Sequence, residues 1–126
     1  MSPSLNEVSL IGHLGKDPVM LYTKAGKPVT TFSLACNKKW KSGDGEAKER
    51  TEWVNVVAWD KLAEICNQYL RKGSLAYIRG ELSTRKYDKD GATHYRTEVV
   101  ASQMLMLDGR KREDASEGTS NDDIGF

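Results

Sequence analysis

Cysteine is scarce in this 126-residue chain: Cys36 and Cys66 are the only two, both in apolar surroundings and without CxxC spacing. A disulfide-built scaffold and a paired-cysteine metal site are therefore not expected, and two small buried thiols are. No stretch approaches 18 consecutive apolar residues, so no membrane-spanning helix is expected. An N-terminal apolar run of secretory type is also lacking, which points to a cytoplasmic protein. Histidine is limited to His13 and His94, far apart and without ligand spacing. No serine or cysteine has a recognisable base partner, and no glycine-rich phosphate loop is present. Asp88 and Asp90 flank a turn rather than form a catalytic pair. These gaps point away from an enzyme and from a metal or cofactor, and toward a binding protein.

Positive charge is missing from one end. Residues 113–126 hold five acidic residues and no basic ones, a net −5, whereas residues 1–112 hold 19 basic and 13 acidic residues, a net +6. The overall net charge of +1 hides this asymmetry. A basic body with an acidic tail fits a polyanion-binding surface joined to a separate partner-binding end. Residues 109–120 have almost no apolar side chain and cannot bury a core, so a disordered acidic tail is expected. Beyond them stands Asn121-Asp122-Asp123-Ile124-Gly125-Phe126, an acidic run with two apolar side chains. The reading is one domain over residues 1–109, a short flexible linker over 110–120, and a tip over 121–126 that is presented to a protein partner.

The body reads as β-rich. Val8 to Leu14 is strand-like, and Val19 to Tyr22 continues it after Pro18. Val29 to Cys36 alternates, with Phe32, Leu34 and Cys36 on one face. Lys39 to Glu49 reads as a polar loop that oddly contains Trp40. In Trp53 to Trp59, Val54, Val56 and Ala58 form the core face, while Trp53, Asn55, Val57 and Trp59 point the other way. Asp60 is a candidate helix cap, and Leu62, Ile65, Cys66, Tyr69 and Leu70 carry the stripe of a short amphipathic helix. Gly73 suits the left-handed position past its end. Leu75 to Leu82 and Thr97 to Leu107 are further strands, with Asp88-Lys89-Asp90-Gly91 as a hairpin turn between Tyr87 and Tyr95. Three strands, a helix, a fourth strand and a hairpin into a fifth give the order of an OB-fold. That is an all-β, five-stranded Greek-key barrel with one short helix between strands 3 and 4.

Trp40, Trp53, Trp59 and Tyr87 are the candidate site. Leaving a large aromatic in water forfeits about 2–3 kcal/mol of burial, and nucleobases give such rings something to stack on. Each stacked base is worth roughly 1–3 kcal/mol regardless of sequence. Cations flank the rings: Lys39 and Lys41 beside Trp40, Arg85 and Lys86 beside Tyr87. Lys61, Arg71 and Lys72 are further candidates for phosphates. The competing reading places the aromatics in the core or at a subunit interface and the cations in solvent.

The order of local motifs goes further. Asn6-Glu7-Val8, Gly12-His13-Leu14-Gly15-Lys16-Asp17-Pro18, Thr51-Glu52-Trp53, Lys61-Leu62-Ala63-Glu64, Tyr69-Leu70-Arg71-Lys72-Gly73-Ser74, Thr84-Arg85-Lys86-Tyr87 and Thr97-Glu98-Val99-Val100-Ala101 together resemble the bacterial single-stranded DNA-binding protein family. The resemblance spans about residues 5–109 and the tip. It implies an OB-fold homotetramer that coats single-stranded DNA without sequence preference, and stacking combined with electrostatic capture is that family's known binding mode. The family's stacking positions fall on Trp40, Trp53, Trp59 and Tyr87, where it often has Phe at the third and Trp at the fourth. The resemblance also implies that Asp122, Asp123, Ile124, Gly125 and Phe126 dock on replication, recombination and repair proteins. The family tip commonly has Asp where Asn121 stands and Pro where Gly125 stands. Gly125 leaves more freedom to lose on docking, so weaker docking is expected. A specialised paralogue, in DNA uptake or as a primosome accessory, and an RNA-binding OB protein are the alternatives.

Overall fold

The computed structural model describes residues 3–108. The linker over 110–120 and the tip residues Asp122, Asp123, Ile124, Gly125 and Phe126 lie outside the described residues. In chain order the elements are β1 (Val8–Leu14), β2 (Val19–Tyr22), β3 (Pro28–Lys41), β4 (Ala47–Trp59), α1 (Asp60–Tyr69), β5 (Leu75–Lys89) and β6 (Ala92–Met106). They pair in the order β1-β5-β6-β4-β3-β2. The sheet closes on itself through His13↔Ala35 and Leu14↔Leu34 between β1 and β3. Five strands thus make a closed barrel, with the one helix between its third and fourth strands, as the sequence pattern implies. Every pair is antiparallel except β4 with β6, which run parallel at Val56↔Val99 and Val57↔Val100. Val19–Tyr22 does not prolong β1. It is a separate short strand laid on β3, with Leu21 opposite Val29.

Alternation along the strands fills the barrel. Phe32, Leu34, Val56, Ala58, Ala76, Ile78, Val99 and Ala101 are buried inward, and Leu14, Ala63, Cys66 and Leu70 complete the core. The helix plugs one end. Thr30, fully buried on β3, donates its hydroxyl to the Ala63 carbonyl at 2.7 Å, so the helix is fastened to the sheet by a satisfied polar group as well as by apolar contact. Burial pushes the Cys66 thiol up to about 11, and burial followed by the charge of Glu52 raises that of Cys36.

Several local expectations change. Tyr69 lies on the helical stripe but is 53 % exposed, while Cys66 and Leu70 around it are fully buried. Val57 shares the outward face with the tryptophans, as the alternation implies, yet it is buried there, where it pairs with Val100. Asp60 is not the cap. It is the first helical residue, at φ +57°, and the N-cap is Trp59 with no side-chain bond. Gly73 does adopt φ +90°, but in the turn after the helix rather than at its cap.

The largest departure concerns Lys39 to Glu49. It is a hairpin rather than a loop: β3 and β4 pair without a register break from Val29↔Trp59 to Lys41↔Ala47. The turn is tight. Ser42 N–H donates to the Glu46 carbonyl and Glu46 N–H to the Asp44 carboxylate, while Gly45 supplies φ +82°. The Ser42 hydroxyl, then the Glu46 amide, hold the Asp44 carboxyl below the usual carboxylate range. β5 and β6 likewise continue past the barrel to Lys89↔Ala92. There Asp90 at φ +54° and Gly91 at φ +77° close a two-residue turn of the mirror-image type that suits strand twist.

Candidate nucleic-acid interface

The strand registers bring three of the four aromatics and three of the seven candidate cations, Lys39, Lys41 and Arg85, to one surface. On β4 the outward residues are Trp53, Asn55, Val57 and Trp59. Val57 pairs with Val100 of β6, so the same surface takes Val100, Glu98, Arg96 and His94. Across β5 it continues through Ser83↔Glu98, Arg85↔Arg96 and Tyr87↔His94. On the other flank, β3 contributes Ala35 opposite Trp53, then Lys39 and Lys41 on the same side. Trp53, Trp59 and Tyr87 are 58, 41 and 43 % exposed. The core reading of these aromatics therefore fails.

Two of the three rings lie against a neighbour. The Trp53 indole lies over Gly15 at the end of β1: a methyl group on Gly15 would stand 2.6 Å from its Cζ3 and 3.0 Å from its Cη2. Tyr87 stacks on His94, with ring centroids 5.5 Å apart and 25° between planes. That contact holds the phenol ring in an offset stack against a second flat ring. Trp59 closes β4 at the helix entrance, opposite Val29.

Trp40 belongs elsewhere. It pairs with Lys48, on the side of the β3–β4 arm that continues the barrel interior rather than its outer surface. Lys38 lies on this same side, its Nζ 6.0 Å from the Trp40 ring centroid. Lys86, opposite Tyr95, is also on the side away from Tyr87 and Arg85. The remaining candidate cations differ in their freedom. Lys61 is exposed in the first turn of α1, two residues from Trp59. Lys72 is exposed in the turn that Asp17 fastens by accepting the Lys72 N–H at 2.8 Å. Arg71 is already used: its Nη1 donates to the carbonyls of Leu70 and Gln68 at 2.8 and 3.1 Å, closing the helix C-terminus.

Two residues on this surface escaped the sequence reading. His94 gave no ligand spacing, and only the Asp90-Gly91 turn, counted back to Tyr87, places it as that ring's partner. Arg96 lies between Tyr95 and Thr97 with no motif of its own, yet it faces Arg85 directly across the hairpin. Among the described residues there is no group of three or more His, Cys, Asp or Glu side chains able to hold a metal ion.

A closed five-stranded barrel that carries exposed aromatics interleaved with cations on an outer face is an OB-fold of the nucleic-acid-binding class. Comparison with known proteins narrows the class: residues 5–107 match the Single-strand binding protein family. The chain is 47 % identical over 123 residues to single-stranded DNA-binding protein 1 of Chlorobaculum tepidum, covering 96 % of this chain and 74 % of that one. It is also 47 % identical over 108 residues to the single-stranded DNA-binding protein of Neisseria meningitidis serogroup A, covering 85 % of this chain and 62 % of the relative. Among solved structures, the Plasmodium falciparum single-strand binding protein in complex with single-stranded DNA superposes with a TM-score of 0.79 at 34 % identity. That match covers 86 % of this chain and 99 % of the other. A deletion mutant of the Thermus aquaticus single-stranded DNA-binding protein gives a TM-score of 0.75 at 32 % identity, over 86 % of this chain and 53 % of that one. The chain belongs to the Single-strand binding protein family.

Proposed function

We propose that this protein binds and covers single-stranded DNA without sequence preference, by stacking bases on Trp53, Trp59 and Tyr87 and meeting phosphates with the adjacent cations. The observation that carries this reading is the outer surface of β4, β6 and β5, which presents those three exposed rings together with Arg85 and Arg96. Exposed rings accept any base, since each base has a π-face, and the cations add a salt-dependent attraction. Lys39, Lys41 and Lys61 flank the path. Trp40 and Lys86, on the reverse side of the two arms, join it only where the strand passes around the hairpins. Binding rather than catalysis is the proposed role, and the bacterial relatives support action at the nucleoid in the cytoplasm, in replication, recombination and repair.

Assembly into a homotetramer belongs to the same proposal. It is supported by an exposed apolar row away from the DNA surface, in which Ile11 of β1, Tyr77 of β5 and Leu105 of β6 stand side by side. Ile11 and Leu105 are 58 and 51 % exposed, the kind of patch that marks contact with another chain. Recruitment of replication, recombination and repair proteins is assigned to Asp122, Asp123, Ile124, Gly125 and Phe126. There Ile124 and Phe126 would enter an apolar pocket while Asp122 and Asp123 meet cations.

Tryptophan fluorescence during titration with a thymine oligonucleotide, at two salt concentrations, tests the DNA-binding reading. Stoichiometric quenching that weakens with salt is expected; unquenched indoles, or equal quenching by duplex DNA, would overturn it.

A further inference from the structure

Arg85 and Arg96 stand directly opposite one another on β5 and β6. Two like charges at such a cross-strand position repel and destabilise the pair. The structure supplies a counter-charge beneath them. Glu98, on the same surface and 6 % exposed, forms an ion pair with each: its Oε2 lies 3.2 Å from Arg85 Nε and its Oε1 3.5 Å from Arg96 Nε. A buried carboxylate needs such partners. Oε1 is nonetheless left without a well-formed hydrogen bond. Both guanidiniums approach Glu98 through Nε. Their Nη groups have no hydrogen-bond partner among the described residues, and the two side chains are 62 and 44 % exposed. Tyr87 and His94 lie two residues further along the same surface, so the unused Nη donors open beside a stacking platform.

We propose that Arg85, Glu98 and Arg96 form a phosphodiester clamp in which Glu98 is a positioning residue. It draws the two Nε atoms inward so that the Nη groups of both arginines converge on one phosphate of the bound strand. Arg96 thereby becomes a phosphate-binding residue, and two facing guanidiniums are held together without mutual repulsion. The inference rests on the proposed single-stranded DNA-binding function and adds a phosphate subsite to that surface. The geometry suits Arg and not Lys, because only a guanidinium can bind inward with one nitrogen and outward with two others.

The test is a thermodynamic cycle on the full chain, read by fluorescence titration with a thymine oligonucleotide over a range of salt. Arg96→Ala should weaken binding by roughly three- to ten-fold. It should also flatten the dependence of log affinity on log salt by about 0.7, one phosphate's share for a single strand. Glu98→Gln keeps the shape and removes the charge. If Glu98 positions Arg96, Arg96→Ala will be milder in the E98Q background than in the native one. If Glu98 merely neutralises Arg96, the same substitution will be more harmful in the E98Q background, and the clamp is wrong. Equal effects in both backgrounds, or no effect of Arg96→Ala on affinity and slope, would also overturn it. Should E98Q fail to fold, Arg85→Ala and Arg96→Ala carry the test. Two donors to one phosphate predict a double variant weaker by less than the product of the single losses, and a full product refutes the clamp. Absence of quenching in the unmodified chain would remove the DNA-binding function itself, whereas normal quenching with an unchanged Arg96→Ala variant removes only the clamp.

Discussion

Gly15→Ala should weaken DNA binding without unfolding the protein, although Gly15 itself has no side chain to offer DNA. Its Cβ would meet Trp53 Cζ3 at 2.6 Å and Cη2 at 3.0 Å, with the Ser33 hydroxyl at 3.5 Å. Carbon atoms settle about 3.5–4.0 Å apart, so the indole must move by roughly 1 Å. It can, because Trp53 is 58 % exposed and the encroached atoms lie at the far end of its side chain. Gly15 is not among the glycines at positive φ, so alanine fits its backbone. Alanine also stiffens the unfolded chain, a gain of about 0.4–1 kcal/mol that offsets the lost contact. The melting temperature should therefore stay within about 5 °C of the native value. Binding is another matter. A stacked base contributes roughly 1–3 kcal/mol. If a ring displaced by 1 Å forfeits about half of that, affinity falls roughly 2- to 13-fold at 25 °C. No phosphate contact is touched, so the salt slope should not change. Titration of the variant with a thymine oligonucleotide at several salt concentrations, beside a thermal melt, measures all three quantities. A shifted indole emission with unaltered affinity would refute the argument that Trp53 stacks on the strand. A changed salt slope would refute the separation of stacking from charge.

The remaining predictions concern the core, the turn and the tail. Cys66, fully buried with its thiol pushed up to about 11, should resist a thiol reagent at pH 8 until the protein is unfolded. Because the unfolded thiol ionises near its ordinary value of 9.0 and the folded one does not, folding stability should fall as pH rises from about 9 to about 11. Urea midpoints at pH 8 and 10.5 check this, and a fall of equal size in a Cys66→Ala variant would contradict it. Gly91→Val forces a β-branched side chain to φ +77° and should lower stability by about 1–2 kcal/mol, read as a drop in melting temperature. Removing residues 113–126 strips five negative charges from a chain whose remainder is net basic. It should raise DNA affinity most clearly at low salt, where screening is weak, and identical low-salt affinities would rule out competition by the tail.

Much of the barrel was legible because burial of one strand face leaves a period of two in the sequence. Phe32 and Leu34 on β3, and Val56 and Ala58 on β4, show that period plainly, and the Asp90-Gly91 pair marks its hairpin by turn chemistry alone. The two long arms were not legible as strands. From Lys38 to Arg50, and from Ser83 to Thr97, both faces meet solvent, so lysines, glutamates and threonines replace the alternation and only cross-strand hydrogen bonds reveal the extended chain. Trp40 reads as a loop residue in the sequence for that reason. Its position on the reverse side of the arm follows from counting register outward from Leu34, which needs the hairpin to be known first. Two local misreadings have local causes. Tyr69 keeps the helical spacing at the last residue of α1 yet stays exposed, and Asp60 is drawn into the helix at φ +57°. The site aromatics on β4 were legible because two tryptophans sat opposite an unmistakable core face. Glu98 was hidden because its outward position among charged neighbours looks like solvent exposure, whereas it is buried and paired with both arginines.

The measurement that bears most directly on the account is photocrosslinking of the full chain to a thymine oligonucleotide carrying iodouracil at single positions, with the modified residues identified by mass spectrometry. Iodouracil couples to the ring on which it stacks. Adducts on Trp53, Trp59 and Tyr87, lost when duplex DNA replaces the single strand, are the predicted result. Adducts confined to Tyr77 and its neighbours on the Ile11 and Leu105 row, with none on the β4–β6–β5 surface, would contradict the placement of DNA on that surface.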